Sequence, residues 1–276
     1  MAIAFDAVSF GEGAGTDLNG TVMSHVCTGS NLILILGLTI QTGATVTSVS
    51  YGGVAMTLID EYDSGGSGQV KNYYLIAPAT GSNDVAVVTN NNGAWKIGAT
   101  SYTGVRQILQ PDSNGETNGS GTTDAAISRT SVANNCWHVG WISSTVNGAV
   151  TLTAGASTTM RTTTAKVSGM FDNNAAITPA GANTLHATQS ASNTFFAVSI
   201  TISPAILITL TETVTLTDAI TYLRTIIKSL TEVVSVIQVT IIGLAEYVLM
   251  AESTFKLKKK WKNIAKNLVS WRNEDK

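Results

Sequence analysis

Residues 1–204 read as an antiparallel all-β sandwich, followed by a C-terminal segment that joins copies of the chain. Three observations predict this. Short runs rich in β-branched and aromatic residues recur roughly every 10–20 residues, with Gly, Asn, Ser and Thr turns between them. Residues 1–204 hold only six Lys/Arg and eleven Asp/Glu, with Thr, Ser, Asn and Gly in their place, which suits strands rather than surface helices. The three-and-four spacing of an amphipathic helix is absent from this part.

The strands are read at 3–10, 32–40, 46–51, 54–62, 70–76, 85–89, 95–102, 137–143, 150–153, 165–171 and 195–202. The run Leu32-Ile-Leu-Ile-Leu-Gly-Leu-Thr-Ile40 is apolar on both faces, so it reads as a central strand covered on each side. Tyr51-Gly-Gly-Val54 reads as a hairpin, because Gly52 and Gly53 tolerate the positive φ of a tight turn. The Gly-, Asn- and Thr-rich stretches 112–123 and 173–181 read as loops on the rim. One core suffices for a sandwich of this size.

Pro204 marks the boundary of a second region, 205–255. Residues 206–217 alternate apolar and Thr as a strand does. From Leu216 a heptad-like seam takes over: Leu216, Ile220, Leu223, Ile227, Leu230, Val234, Ile237, Ile241, Leu244 and Val248. This favours a coiled-coil stalk, and Ala219, Ile226, Val233 and Tyr247 widen the seam toward three or more strands, hence a trimer. The richness in Thr and Val leaves a β-type stalk open. The repeats Leu210-Thr-Glu-Thr-Val214 and Leu230-Thr-Glu-Val-Val234 suit a stalk of stacked similar units.

Residues 256–276 form a basic amphipathic tail, with Leu257, Trp261, Ile264, Leu268 and Trp271 on one helical stripe and the lysines largely off it. Such a stripe suits docking onto an acidic partner or a membrane surface, or it ends the same bundle with a solvated charged face. The stretch 233–251 is apolar enough to raise a membrane anchor, but Gln238, Glu246 and the seam periodicity argue against one. No secretory leader is read at the N-terminus. Clustered lysines are absent from 1–204, which argues against nucleic acid as a partner of that domain.

Several stretches together carry a resemblance: Ala2-Ile-Ala-Phe-Asp-Ala7, Ser24-His-Val-Cys-Thr-Gly-Ser-Asn31, Val46-Thr-Ser-Val-Ser-Tyr-Gly-Gly-Val-Ala-Met56, Tyr73-Tyr-Leu-Ile-Ala-Pro-Ala-Thr-Gly81 and Ala99-Thr-Ser-Tyr-Thr-Gly-Val105. The set resembles phage and metagenome-encoded β-sandwich proteins, jelly-roll or concanavalin-like, found among virion structural and tail-fibre genes. The Leu-Thr-Glu repeats and the tail resemble C-terminal extensions on such proteins. The resemblance implies a jelly-roll fold and a non-catalytic particle component, and it supplies no functional residues.

Chemistry-bearing candidates are few. His25 and Cys27 share one strand face, as do Cys136 and His138, and neighbouring strands would bring four zinc ligands together. A Cys27–Cys136 disulfide is the other reading of the thiols, set against the reducing cytosol in which such proteins assemble. Ser24 and His25 are adjacent, so on a strand they point to opposite faces and share no proton. Glu61 and Asp63 read as part of a polar turn rather than a glycosidase pair. Tyr62, Asp63, Tyr73, Tyr74 and Trp95 are candidates for a glycan-binding surface, while Trp137 and Trp141 on one strand face read as core.

The leading expectation is therefore a structural component of a virion or filament, without a cofactor, that assembles as a homo-oligomer with other particle proteins. The alternatives are a glycan- or receptor-binding adhesin module of a tail fibre and a C-terminally membrane-anchored surface protein.

Overall fold

The computed structural model describes residues 1–206, apart from positions 17, 42, 67, 92, 145–149 and 163–166. All regular elements among these residues are strands, paired antiparallel throughout. The expected stalk, tail and membrane stretch lie outside the described residues.

The first hundred residues form one ribbon folded over on itself. Its outward arm is β1 (Ala4–Thr16), β2 (Asn19–Cys27), β3 (Ile33–Ile40) and β4 (Val46–Tyr51). Gly52 and Gly53, with φ of +54° and +79°, make the turn; both central residues at positive φ is the geometry that matches the twist of a two-residue hairpin. The return arm is β5 (Val54–Ala55), β6 (Thr57–Asp63), β7 (Gln69–Ile76), β8 (Gly81–Thr89) and β9 (Gly93–Thr103). Partners match in reverse order: β4 with β5, β3 with β7, β2 with β8 and β1 with β9. Coiling the ribbon adds the pairs β3–β9 and β4–β8 and divides it into two sheets, ordered β1-β9-β3-β7-β6 and β2-β8-β4-β5.

The run expected as one strand at 54–62 is two. Met56 breaks it: its N–H donates to Val49 O at 2.9 Å, its side chain is buried, and the next residue, Thr57, already pairs with Tyr74 in the other sheet.

The second half builds a third sheet from β10 (Ser113–Thr130), β11 (Trp137–Ser144), β12 (Leu152–Ala154), β13 (Thr159–Met160), β14 (Ser168–Asp172) and β15 (Ala182–Ile202). Its order is β10-β15-β11-β14-β13, with β12 also on β15. The rim loop expected at 112–123 is instead the first half of β10, in register with β15 from Ser113↔Thr201 to Gly119↔Phe195. Pairing overrides composition there. Asn114, Glu116 and Asn118 alternate to solvent along an edge, and Gly119 leaves room for the Phe195 ring, which a Cβ would meet at 2.5 Å. The stretch 173–181 is a loop, apart from a single bridge between Cys136 and Ile177.

The β1-β9-β3-β7-β6 sheet is central, because both its faces are covered. Leu34, Leu36, Leu38 and Ile40 of β3 join Val49, Tyr51, Val85 and Val87 of the β2-β8-β4-β5 sheet in one core. Ile33 and Ile35 join Trp137, Val139, Trp141, Val198 and Ile200 of the third sheet in another. The buried run on β3 is thus two interiors read off one strand. Beyond the third sheet, the far halves of β10 and β15 bend back at register shifts between Gly119 and Asp124. Ala125, Ile127, Leu185 and Ala187 from these halves cover Ile142, Phe171 and Ala197 in a further core. Three cores replace the one expected, because each added layer has its own apolar face to bury.

Trp141 fixes the spacing of the central and third sheets. Gly37 and Gly98 are cross-strand partners, and a Cβ on either would lie 2.4–2.5 Å from the Trp141 ring. The indole rests on bare backbone, and its Nε1–H donates to Thr39 Oγ1 at 2.7 Å.

Candidate functional site

The polar groups with chemical potential lie between the sheets. On the inner face of β2, His25 is fully buried, with Nδ1 3.0 Å from Ser9 Oγ and Nε2 3.1 Å from Ser101 Oγ. Ser101 donates to Asp6 Oδ2 at 2.6 Å. With the Ser101 hydroxyl donating to Asp6, Nε2 of His25 is the donor to Ser101, and Nδ1 accepts from Ser9. Asp6 also accepts from the Thr28 N–H at 2.8 Å and from the Thr28 hydroxyl. These bonds hold its carboxyl below the ordinary range, against the opposing effect of its partial burial.

Hydroxyl, imidazole, hydroxyl and carboxylate therefore stand in a line: Ser9, His25, Ser101, Asp6. Burial pushes the imidazolium of His25 down to about 4, with Asp6 pulling weakly the other way. An imidazole that weakly basic takes few protons from a serine near neutral pH, so the chemistry this line performs best is satisfying buried polar groups. Sequence reasoning missed Ser9, Ser101, Asp6 and Thr28. The one available signal was a hydroxyl at the inward parity of β9, where Ser101 continues the row Trp95, Ile97, Ala99.

His138 repeats the pattern in the third sheet. It is buried, with Nδ1 3.1 Å from Asn183 Oδ1 and Nε2 2.9 Å from Ser199 Oγ, and burial pushes it down to about 4. The four candidate metal ligands do not converge. His25 and Cys27 sit on β2, whereas Cys136 precedes and His138 lies on β11, and these strands belong to different sheets. Among the described residues no group of three or more His, Cys, Asp or Glu could hold a metal ion. Cys27 and Cys136 are free, buried thiols. Burial raises both, and with Asp112 nearby Cys136 reaches about 12, so neither is poised as a thiolate.

A buried ion pair on the third-sheet side, Arg161 after β13 with Asp172 of β14, is met by Tyr102 of β9 in the central sheet. Arg161 Nε and Nη2 donate to Asp172 Oδ2 and Oδ1 at 2.6 and 2.8 Å, and Tyr102 Oη donates to Asp172 Oδ2 at 2.7 Å. The Arg161 guanidinium also lies 4.1 Å from the Phe5 ring centroid. Complete burial beside Asp172 raises the Tyr102 phenol, so it stays the donor.

The glycan candidates are not brought together. Trp95 and Tyr73 are 8 % and 7 % exposed and belong to the core on one face of the central sheet. Tyr62 and Tyr74 pack toward the opposite face, where the Tyr62 ring stacks on Phe196 at 5.4 Å. Asp63 is exposed and accepts from Gly65 N and Gln69 Nε2, both at 2.9 Å, as the cap of its own turn. Trp137 and Trp141 share the core between the central and third sheets. No helix of the described residues is long and apolar enough to cross a membrane.

Comparison with known proteins finds no family model that matches the chain, and no similar curated protein or solved structure.

Proposed function

We propose that the chain is a non-catalytic structural component of a virion or filament, displaying a jelly-roll domain and assembling as a homo-oligomer, read as a trimer, through residues 205–276. The observation that carries this reading is the pairing order of the folded ribbon, β1:β9, β2:β8, β3:β7 and β4:β5, coiled into two facing sheets. That order supports reading the domain as a double-sheet jelly roll, an architecture of viral capsid and lectin domains. The resemblance read from the sequence motifs adds the particle context, which a fold by itself does not supply. The polar clusters favour the same side, since their hydrogen bonds are turned inward between sheets rather than toward a cleft. Beyond Ile206 the seam from Leu216 to Val248 gives copies an apolar ridge to share.

The glycan-binding alternative has less support, because two of its candidates, Trp95 and Tyr73, belong to a core. Mass spectrometry of particles purified from cells carrying the gene tests the proposal. It predicts peptides of this chain in the particle band at a fixed ratio to the major coat protein. Recovery only in the soluble fraction would overturn the particle assignment.

A further inference from the structure

Four of the eight exposed large apolar side chains among the described residues gather at one end of the domain. Ile108, Leu109, Val132 and Ile206 are 68, 76, 76 and 65 % exposed. The chain segment 201–205 ties them together. Arg106 N donates to Ser203 O at 2.9 Å, and Gln110 Nε2 donates to Ser203 O and Oγ at 3.0 and 2.8 Å, bracketing Ile108 and Leu109. Asp112 N donates to Thr201 O at 2.9 Å, and Val132 N donates to Asp112 Oδ2 at 2.7 Å. Ile206 follows directly in the chain.

This loop is built rather than slack. The Arg106 side chain donates to Ile108 O at 3.1 Å and Leu109 O at 3.3 Å, and Gln107 Nε2 donates to Leu32 O at 3.2 Å. Leu109 holds φ at +53°, a conformation that leucine rarely adopts. Strain of this kind persists where the surroundings impose it, and here they impose two neighbouring apolar side chains facing water.

The same end is where the chain leaves for residues 207–276, which carry the ridge from Leu216 to Val248. We propose that Ile108, Leu109, Val132 and Ile206 form a contact between copies of this chain, each copy's patch packing against the same end of a neighbour. The inference rests on the assembly reading above. Copies joined through segments that leave from this end hold these patches at an effective concentration on the order of millimolar, so a small apolar contact suffices. Charge does not oppose the contact. The Arg106 guanidinium is occupied by two carbonyls, and Asp112 by the N–H groups of Val132 and Ala133. A lipid surface would need a basic rim, and the described segments at this end bring only two cations, the Arg106 guanidinium and the Met1 ammonium that donates to Ala205 O at 3.1 Å.

The test is oxidative cross-linking of the full chain carrying Ile108→Cys, beside Val54→Cys as an exposed control on the β2-β8-β4-β5 sheet. The native thiols are buried and do not compete. The expected result is a covalent dimer at least severalfold more abundant for Ile108→Cys, suppressed when Leu109→Asp is added. Equal cross-linking by the two variants in a sample that light scattering shows to be oligomeric overturns this contact alone. A monomer by light scattering overturns the contact together with the assembly reading. Flotation of the wild-type chain with anionic vesicles, lost in Ile108→Asp, would reassign the patch to a lipid surface.

Discussion

On one side of β3, Leu34, Leu36, Leu38 and Ile40 meet the aliphatic and aromatic residues of the β2-β8-β4-β5 sheet. On the other, Ile33, Ile35, Gly37 and Thr39 meet the third sheet through an indole laid on glycine and a chain of hydroxyls from Thr39 through Ser168 to Ser143, and Tyr102 of β9 donates to Asp172, which pairs with Arg161. The first interior depends on volume, and aliphatic volume can be redistributed among neighbours. The second depends on shape and on matched hydrogen bonds, which cannot. Substitutions on the third-sheet side are therefore expected to be the more damaging, even between adjacent residues of one strand.

The largest effect is expected for Trp141→Ala, which empties the site over Gly37 and Gly98 and removes one of the two hydrogen-bond partners of Thr39 Oγ1. Chemical denaturation should show a loss of about 3–5 kcal/mol. A loss as small as that of a conservative aliphatic change would break the contrast between the two interiors. Asp172→Ala comes next, at about 3–5 kcal/mol with no cavity of comparable size, because it strands the Arg161 charge and the Tyr102 hydroxyl in a buried site. If Asp172→Ala and Arg161→Ala together cost as much as the sum of the two singles in a double-mutant cycle, the pair is not coupled as described.

Acid probes both halves at once. His25 and His138 are held near 4 in the folded chain against an ordinary value of 6.5, so the native state binds fewer protons than the unfolded chain between those values. Stability is then complete above pH 6.5, falls as pH drops from 6.5 to 4, and stops falling on this account below 4. The loss is on the order of 3 kcal/mol per histidine. His25→Gln and His138→Gln should each remove about half of that acid slope. An unchanged slope in either variant would show that the histidine is not buried neutral.

The sharpest local comparison sets two neighbouring residues of β3 against each other. Gly37→Ala adds one methyl group against the Trp141 ring and should cost about 3 kcal/mol, near the top of the usual overpacking range. Leu36→Met, one residue away and facing the opposite sheet, should cost less than about 1.5 kcal/mol. Equal midpoints in urea for the two variants would dissolve the distinction between the faces.

What the sequence made legible follows the same division. The unbroken apolar run of β3 announced a strand covered on both sides, and the paired glycines at 52 and 53 announced the turn at the apex of the ribbon. Both are local signals. The long β10–β15 pair was not legible, because Ser113–Thr130 is composed of turn-forming residues and becomes a strand only through partners far along the chain. β2 was missed for a related reason: His25 and Cys27 face inward, interrupting the apolar alternation that would have marked it. The His25 line was out of reach as well, since its members are separated by 16 and 76 positions in sequence. Asp172, followed by two asparagines, reads as a turn and is instead the most enclosed carboxylate among the described residues.

The proposed assembly joins copies of the chain through the ridge after Ile206. Sedimentation equilibrium of the full chain at micromolar concentration tests it most directly. We predict a mass that is a whole multiple of 28.8 kDa, three being the expected value, and its return to 28.8 kDa when Ile227→Asp and Ile237→Asp are combined. A wild-type chain that sediments at 28.8 kDa across the concentration range would contradict the account.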